Sequence, residues 1–110
     1  MYGLYSADGS RTWPRLSRLT APCVEALRIF TDIYGAEAAN LVLKFMALGG
    51  LYIGGGIAPK ILAALRAGGF MRAFLAKGRL DKMLARIPVR VSLNPAAALL
   101  GAARCALEML

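Results

Sequence analysis

Gly49-Gly50-Leu51-Tyr52-Ile53-Gly54-Gly55-Gly56-Ile57-Ala58-Pro59-Lys60 is the stretch on which the reading of this chain turns. Leu51, Tyr52 and Ile53 form an apolar run too short for a helix, and tyrosine and isoleucine favour strands. Gly54, Gly55 and Gly56 then allow backbone angles, and a closeness of approach, that a Cβ would block. Pro59 suits the first turn of a helix. The stretch therefore predicts a short buried strand, a bare turn and a helix from about Ala58 to Ala67. A bare turn at a helix N-terminus presents backbone N–H groups, which suits a nucleotide or another anion. Close packing of strand on helix explains the same glycines without any ligand, so both readings stand at this point. The pattern is not a P-loop, because no Gly-Lys-Ser/Thr follows. It fits a dinucleotide fingerprint only loosely, because Pro59 stands where the last glycine or alanine belongs.

Upstream, Thr20-Ala21-Pro22 opens a long helix, with Thr20 as N-cap and Glu25 where the helix dipole favours an acid. Apolar residues from Val24 to Met46 recur at helical spacing, and Gly49-Gly50 end the element near Leu48. Gly35 lies inside it at a cost of about 1 kcal/mol, which predicts a close crossing or a slight bend. Glu25, Asp32 and Glu37 read as solvated helix charges, since none has a second acid beside it. Downstream, Phe70 to Lys77 reads as helical with Phe70, Met71, Phe74 and Leu75 inward. Leu80 to Arg86 is a short amphipathic helix with Asp81, Lys82 and Arg86 outward, ended by Pro88. Val89 to Leu93 alternates like a strand with one buried face. Asn94-Pro95 caps a last helix, Ala96 to Met109, in which Gly101 suggests close packing. Met1 to Leu19 is an irregular arm, with a turn signal at Asp8-Gly9-Ser10 and a helix break at Trp13-Pro14. Trp13, the single tryptophan, reads as a packing residue or an anchor onto a partner surface.

The order is a βαβα unit behind a leading helix, hence an α/β chain. Two strands are too few for a stable sheet. Of its 110 residues 58% are hydrophobic, and the mean hydropathy is +0.56, high for a small free-standing domain. The longest stretch without charge, Phe45 to Pro59, falls short of the roughly 20 residues that cross a bilayer. No signal peptide is read at Met1 to Ser10. The reading is a piece of a larger protein with a face to be covered, or a sheet completed by another copy. Fourteen basic and six acidic residues give a net charge of +8. The basic residues are scattered and read as solvated helix faces rather than a nucleic-acid patch. The chain has no histidine, which removes histidine acid–base catalysis and the common zinc sites. Cys23 and Cys105 read as reduced, buried thiols of a cytosolic protein.

The central stretch Gly49 to Lys60 closely resembles the C-terminal region of bacterial glucokinases. So do Tyr34-Gly35-Ala36-Glu37-Ala38-Ala39-Asn40-Leu41, Gly69-Phe70, Phe74-Leu75-Ala76-Lys77-Gly78-Arg79, Ile87-Pro88-Val89, Asn94-Pro95 and Leu99-Leu100-Gly101-Ala102-Ala103. The resemblance covers about residues 20–110. It implies part of an actin-like (ribonuclease H-like) ATPase fold, helix-rich with a two-strand piece of the sheet. Residues 20–110 would be the C-terminal segment of the large domain, on the adenosine side of the nucleotide cleft. The family transfers the γ-phosphoryl group of ATP, with magnesium, to the 6-hydroxyl of glucose, in the cytoplasm and often as a dimer.

The resemblance sets Gly54, Gly55 and Gly56 against the adenosine of ATP. In the family the first phosphate loop, the sugar-binding Asn-Asp pair with its catalytic aspartate, and the sugar-binding Glu and His come from earlier in the chain. None of these motifs occurs here, so no catalytic residue and no metal ligand is assigned. The expectation is a chain inactive by itself, with ATP and glucose as partners of the full-length enzyme. A homo-oligomer is expected, with neither nucleic acid nor membrane as partner. The alternative is a non-enzymatic basic module that self-associates or binds an anionic partner. Membrane attachment through the apolar face is a third reading.

Overall fold

The computed structural model describes residues 20–110, so the arm expected over residues 1–19, with Trp13, lies outside the described residues. Helix α1 spans Ala21–Phe45. Its inward positions, Leu27, Thr31, Tyr34, Gly35, Ala38, Ala39 and Val42, recur every three or four residues, as one helical face requires. Strand β1 is Leu51–Ile53, as expected. Helices α2 (Leu62–Arg66) and α3 (Gly69–Leu75) follow, then a 3₁₀ turn at Gly78–Leu80, α4 (Asp81–Leu84), β2 (Val89–Val91) and α5 (Ala97–Glu108). The two strands pair in parallel, Leu51 opposite Val89 and Ile53 opposite Val91. The α/β reading and the two-strand sheet hold.

Helices α1 and α3 cross where Gly35 faces Phe70. A Cβ built on Gly35 would lie 2.2 Å from the Phe70 carbonyl oxygen and 2.9 Å from its carbon. Of the two expectations for Gly35 this is the close crossing. Gly69 repeats the device from the other side, since its Cβ would sit 3.0 Å from Asp32 Oδ1. The approach stacks aromatic rings through the crossing. Phe30 to Tyr34 is 5.4 Å between centroids, Tyr34 meets Phe70 edge-on at 5.6 Å, and Phe70 stacks on Phe74 at 6.2 Å. Such pairs contribute about 0.5–1.5 kcal/mol each beyond their area. Phe74, Leu84 and Val42 are the largest fully buried side chains. Leu51, Val89 and Val91 pack against this core with Ile53 inside it.

Several expectations need correction. Helix α1 ends at Phe45, not near Leu48. Met46 takes the left-handed conformation (φ 49°, ψ 45°), and Ala47 N–H donates to the Val42 carbonyl at 3.0 Å. This is a Schellman stop built on a methionine where glycine is usual, so Gly49-Gly50 come too late to be the cap. Thr20 is the N-cap by backbone, but its hydroxyl donates to Cys23 Sγ at 3.2 Å rather than capping an N–H. Met71 faces out, because Phe70 and Phe74 take the face turned to α1. Asp32 is not a free solvated charge. It accepts from Arg28 at 2.8 Å and from Arg72 of α3 at 3.3 Å, with 28% of its side chain exposed. Glu25 is paired with Arg28 at 2.6 Å, and the Arg28 hydrogen bond holds its carboxyl below the ordinary value. Gly101 meets no atom within 4 Å, and no residue of α5 is buried. Cys105, on α5, is exposed rather than buried, and Cys23 is half-buried.

The described chain is a plate of 45 × 43 × 16 Å with a radius of gyration of 16.4 Å. A compact domain of this length has about 12–13 Å. The outer side of α1 stays bare, with Ile33 64% and Phe45 69% exposed.

Two substitutions test these backbone features with opposite signs. Gly35→Ala forces α1 off Phe70 and is expected to destabilise by about 3 kcal/mol or more, as overpacking against backbone does. Met46→Gly relieves the left-handed strain and is expected to stabilise by about 1 kcal/mol. Urea unfolding midpoints measure both.

Candidate functional site

Parallel sheets bind ligands outside the carboxyl ends of their strands. Here β1 ends at the buried Ile53 and passes straight into Gly54, Gly55 and Gly56, all exposed. Strand β2 ends beside it. Ser92 N–H donates to the Ile53 carbonyl at 2.9 Å, which fixes the exit of the second strand against the first. The Asn94 side-chain oxygen then accepts from Ala96 N–H at 2.9 Å, an Asx turn that leads into α5. The bare turn and the Ser92–Asn94 loop thus leave the same end of the sheet side by side. Sequence reading singled out the glycines but not Ser92. The missed signal was that parallel pairing of Leu51–Ile53 with Val89–Val91 aligns the two carboxyl ends.

The three glycines are not a packing device of the described chain. A Cβ added at Gly54, Gly55 or Gly56 meets no atom within 4 Å. Gly55 has φ +100°, a conformation L residues adopt only with strain. At Gly54 and Gly56 neither backbone angle nor a neighbouring atom of the described residues calls for glycine. Of the two readings of this turn, close packing of strand on helix finds no contact to rest on. The helix expected from Ala58 begins only at Leu62 and has five residues. Ile57 to Ile61 instead form a turn in which Lys60 and Ile61 N–H groups both donate to the Ile57 carbonyl, at 3.0 and 3.2 Å. Pro59 sits in that turn. The regular helix thus starts four residues later than expected, and the turn before it uses the Lys60 and Ile61 N–H groups.

On the outward face of the sheet Tyr52 and Arg90 stand opposite each other. The guanidinium carbon lies 5.8 Å from the ring centroid, and Tyr52 is 69% exposed. An exposed cation–π pair of this kind contributes about 0.5–1 kcal/mol. The carboxylates of α1 are engaged elsewhere. Glu25 and Asp32 bond arginines, and Glu37 accepts from Asn40 at 3.1 Å, whose oxygen takes Lys77 Nζ at 2.6 Å. Among the described residues no three His, Cys, Asp or Glu side chains gather into a metal-binding group. Among the described residues no helix is long and apolar enough to cross a membrane.

A family model described as Glucokinase matches residues 14–109. The match begins upstream of residue 20, where the sequence resemblance starts. A glucokinase of Nostoc punctiforme is 51% identical over 104 residues, covering 94% of this chain and 30% of the relative. One of Synechocystis is 50% identical over 84 residues, 76% of this chain and 24% of the relative. The crystal structure of glucokinase from an Antarctic psychrotroph superposes with a TM-score of 0.70 at 32% identity, over 89% of this chain and 33% of that one. The chain thus spans about 30% of the length of the curated relatives it matches.

The turn itself makes a prediction. Gly54→Ala and Gly56→Ala place a methyl in open space and should leave stability within about 0.5 kcal/mol of the parent. Gly55→Ala should cost about 1–2 kcal/mol through its positive φ. Thermal unfolding of the three variants separates the cases, and equal losses at all three positions would contradict the geometry.

Proposed function

The chain belongs to the glucokinase family, and on that premise we propose that it supplies the adenosine side of the nucleotide cleft of an enzyme that phosphorylates glucose. The observation that carries the proposal is the bare turn. Gly54, Gly55 and Gly56 stand exposed at the carboxyl end of β1, and a Cβ on any of them would meet no atom of the described residues within 4 Å. A flat ligand such as an adenine ring can lie directly on such a backbone, with Ser92 to Asn94 as the neighbouring wall. The fold in this reading is part of an actin-like ATPase, and the compartment is the cytoplasm.

ATP with magnesium supplies the phosphoryl group that is transferred to the 6-hydroxyl of glucose. The described residues suit the adenosine half of that ligand. Orienting the attacking hydroxyl takes a carboxylate, and Glu25, Asp32 and Glu37 are committed to arginine and amide partners on α1 and α3. The chain by itself is therefore proposed to be inactive, with the sugar and the phosphates held by the other two thirds of the family's length. A second reading, a basic module that self-associates, is favoured by one observation: α5 exposes Leu99, Leu100 and Leu107 at 73%, 59% and 72%. A homo-oligomer fits either reading.

The test is reconstitution. The chain is assayed for ATP binding by calorimetry and for glucose phosphorylation. It is used alone and mixed with the Nostoc punctiforme relative lacking the matching segment. No turnover alone, turnover on mixing, and a raised KM for ATP with Gly56→Val are expected. Turnover by the chain alone would overturn the inactivity. A stable oligomer indifferent to ATP in every mixture would favour the second reading.

A further inference from the structure

The inner face of the sheet is not sealed by the helices that pack on it. A groove of about 370 Å³ remains between Ile53, Val89, Val91 and Leu93 on one side and Leu65 and Phe70 on the other. It stays open because α2 and α3 are short and the chain breaks between them. Gly68 lines the groove at that break with φ +104°, and nothing lies within 4 Å of where its Cβ would be. Leu93, where the chain leaves β2, is 63% exposed. One lining residue carries a charge, Arg66 at the end of α2, and it is exposed. The ion pairs among the described residues use Arg28, Arg72 and Arg104, which leaves Arg66 without a carboxylate there.

We propose that this groove binds a small amphiphilic monocarboxylate, its apolar body lying between sheet and helices and its carboxylate received by Arg66. Small-molecule sites have this make-up, a mostly apolar lining with few polar groups that fix orientation, and they begin at about 300 Å³. Size sets the body. A cavity of about 150 Å³ takes a benzene ring, so this groove takes roughly ten carbons. From Val89 to Leu93 an extended backbone covers ~13 Å, and a straight chain of that many carbons has a similar length. Charge sets the head group. A guanidinium receives a carboxylate in two parallel hydrogen bonds. No acidic residue lines the groove to repel an anion or to hold a cation. A single arginine matches a single charge, which favours a carboxylate over a phosphate. The groove lies on the face of the sheet turned away from Tyr52 and Arg90. The inference goes beyond the nucleotide reading and does not rest on it.

Decanoate is the probe, titrated into the full chain by calorimetry below its micelle concentration, with backbone NMR to locate it. Saturable binding of one molecule per chain is expected, with amide shifts confined to the residues around Val89–Leu93 and Leu62–Met71. Arg66→Met keeps an apolar stem and should weaken binding about tenfold or more, as loss of a charged hydrogen-bond partner does. Met71→Glu, an exposed position on the groove, should weaken it by repulsion with unchanged circular dichroism. Decyltrimethylammonium, with the same chain and the opposite charge, should bind about tenfold more weakly than decanoate. ATP with magnesium should leave the decanoate affinity unchanged, so failure of the nucleotide reading and failure of the groove give different results. No saturable binding, equal affinity for the two amphiphiles, an affinity that Arg66→Met leaves intact, or displacement by ATP would overturn the proposal. A dimer in light scattering that excludes decanoate would place a second copy in the groove and overturn it equally.

Discussion

Between Gly35 and Phe70 the backbones of α1 and α3 lie at the limit of contact, with room for a hydrogen and not for a methyl. The rest of the core follows from that approach. It lets Tyr34 meet Phe70 edge-on and brings Phe74 under α1 with no exposure. It also puts Asp32 within reach of Arg72, a contact across the crossing that is worth no more than about 1 kcal/mol at such exposure. The ion pair is thus a result of the crossing rather than its cause. What holds the two helices is apolar burial and ring stacking, made possible by the absence of two side chains, at Gly35 and Gly69. Four of the twelve buried hydrophobic residues are alanines, which places the elements close together but leaves little apolar volume inside.

The sheet is placed by the same core. Its apolar face, Leu51, Ile53, Val89 and Val91, turns to α2 and α3, while Tyr52 and Arg90 face away. Parallel sheets are ordinarily covered on both sides. The bare side, the exposed outer stripe of α1 and the unburied α5 together match a chain that spans about 30% of its relatives' length. The candidate site belongs to the same pattern. In the proposed reading the turn without side chains is one wall of a cleft, and the family's remaining length supplies the facing wall.

Much of this was legible in the chain. The strand at Leu51–Ile53 and a second strand from Val89 follow from local pattern, although the expected strand ran to Leu93 and the observed one ends at Val91, and Gly35 pointed to a close crossing or a bend, of which the structure has the crossing. The misses have a common cause. Met46 stops α1 in a conformation its side chain disfavours, and the energy comes from the Ala47 to Val42 hydrogen bond and the buried Val42, neither visible in residue type. Gly101 reads like Gly35 but has nothing opposite it, since a glycine declares room for a neighbour and not the neighbour. Pro59 promised a helix start, yet the chain stays in a turn through Ile61 and the regular helix begins at Leu62. In the site, the glycines were evident from sequence, whereas Ser92 became relevant only through the register that aligns two strand ends.

Helix α5 has a consequence of its own. Twelve residues lie at the short end of the ~12–15 below which an isolated helix is marginal in water, and none of its side chains is buried to add support. Its amides are held by intrahelical bonds alone, so they open without disturbing the α1–α3 core. Exchange with deuterium would then divide the chain into two classes, a protected set around Phe70 and Phe74 and a fast set from Ala97 onward. A protease would find the same boundary. Among the described residues its first cut would fall beyond Asn94, leaving the plate of helices and its two strands whole.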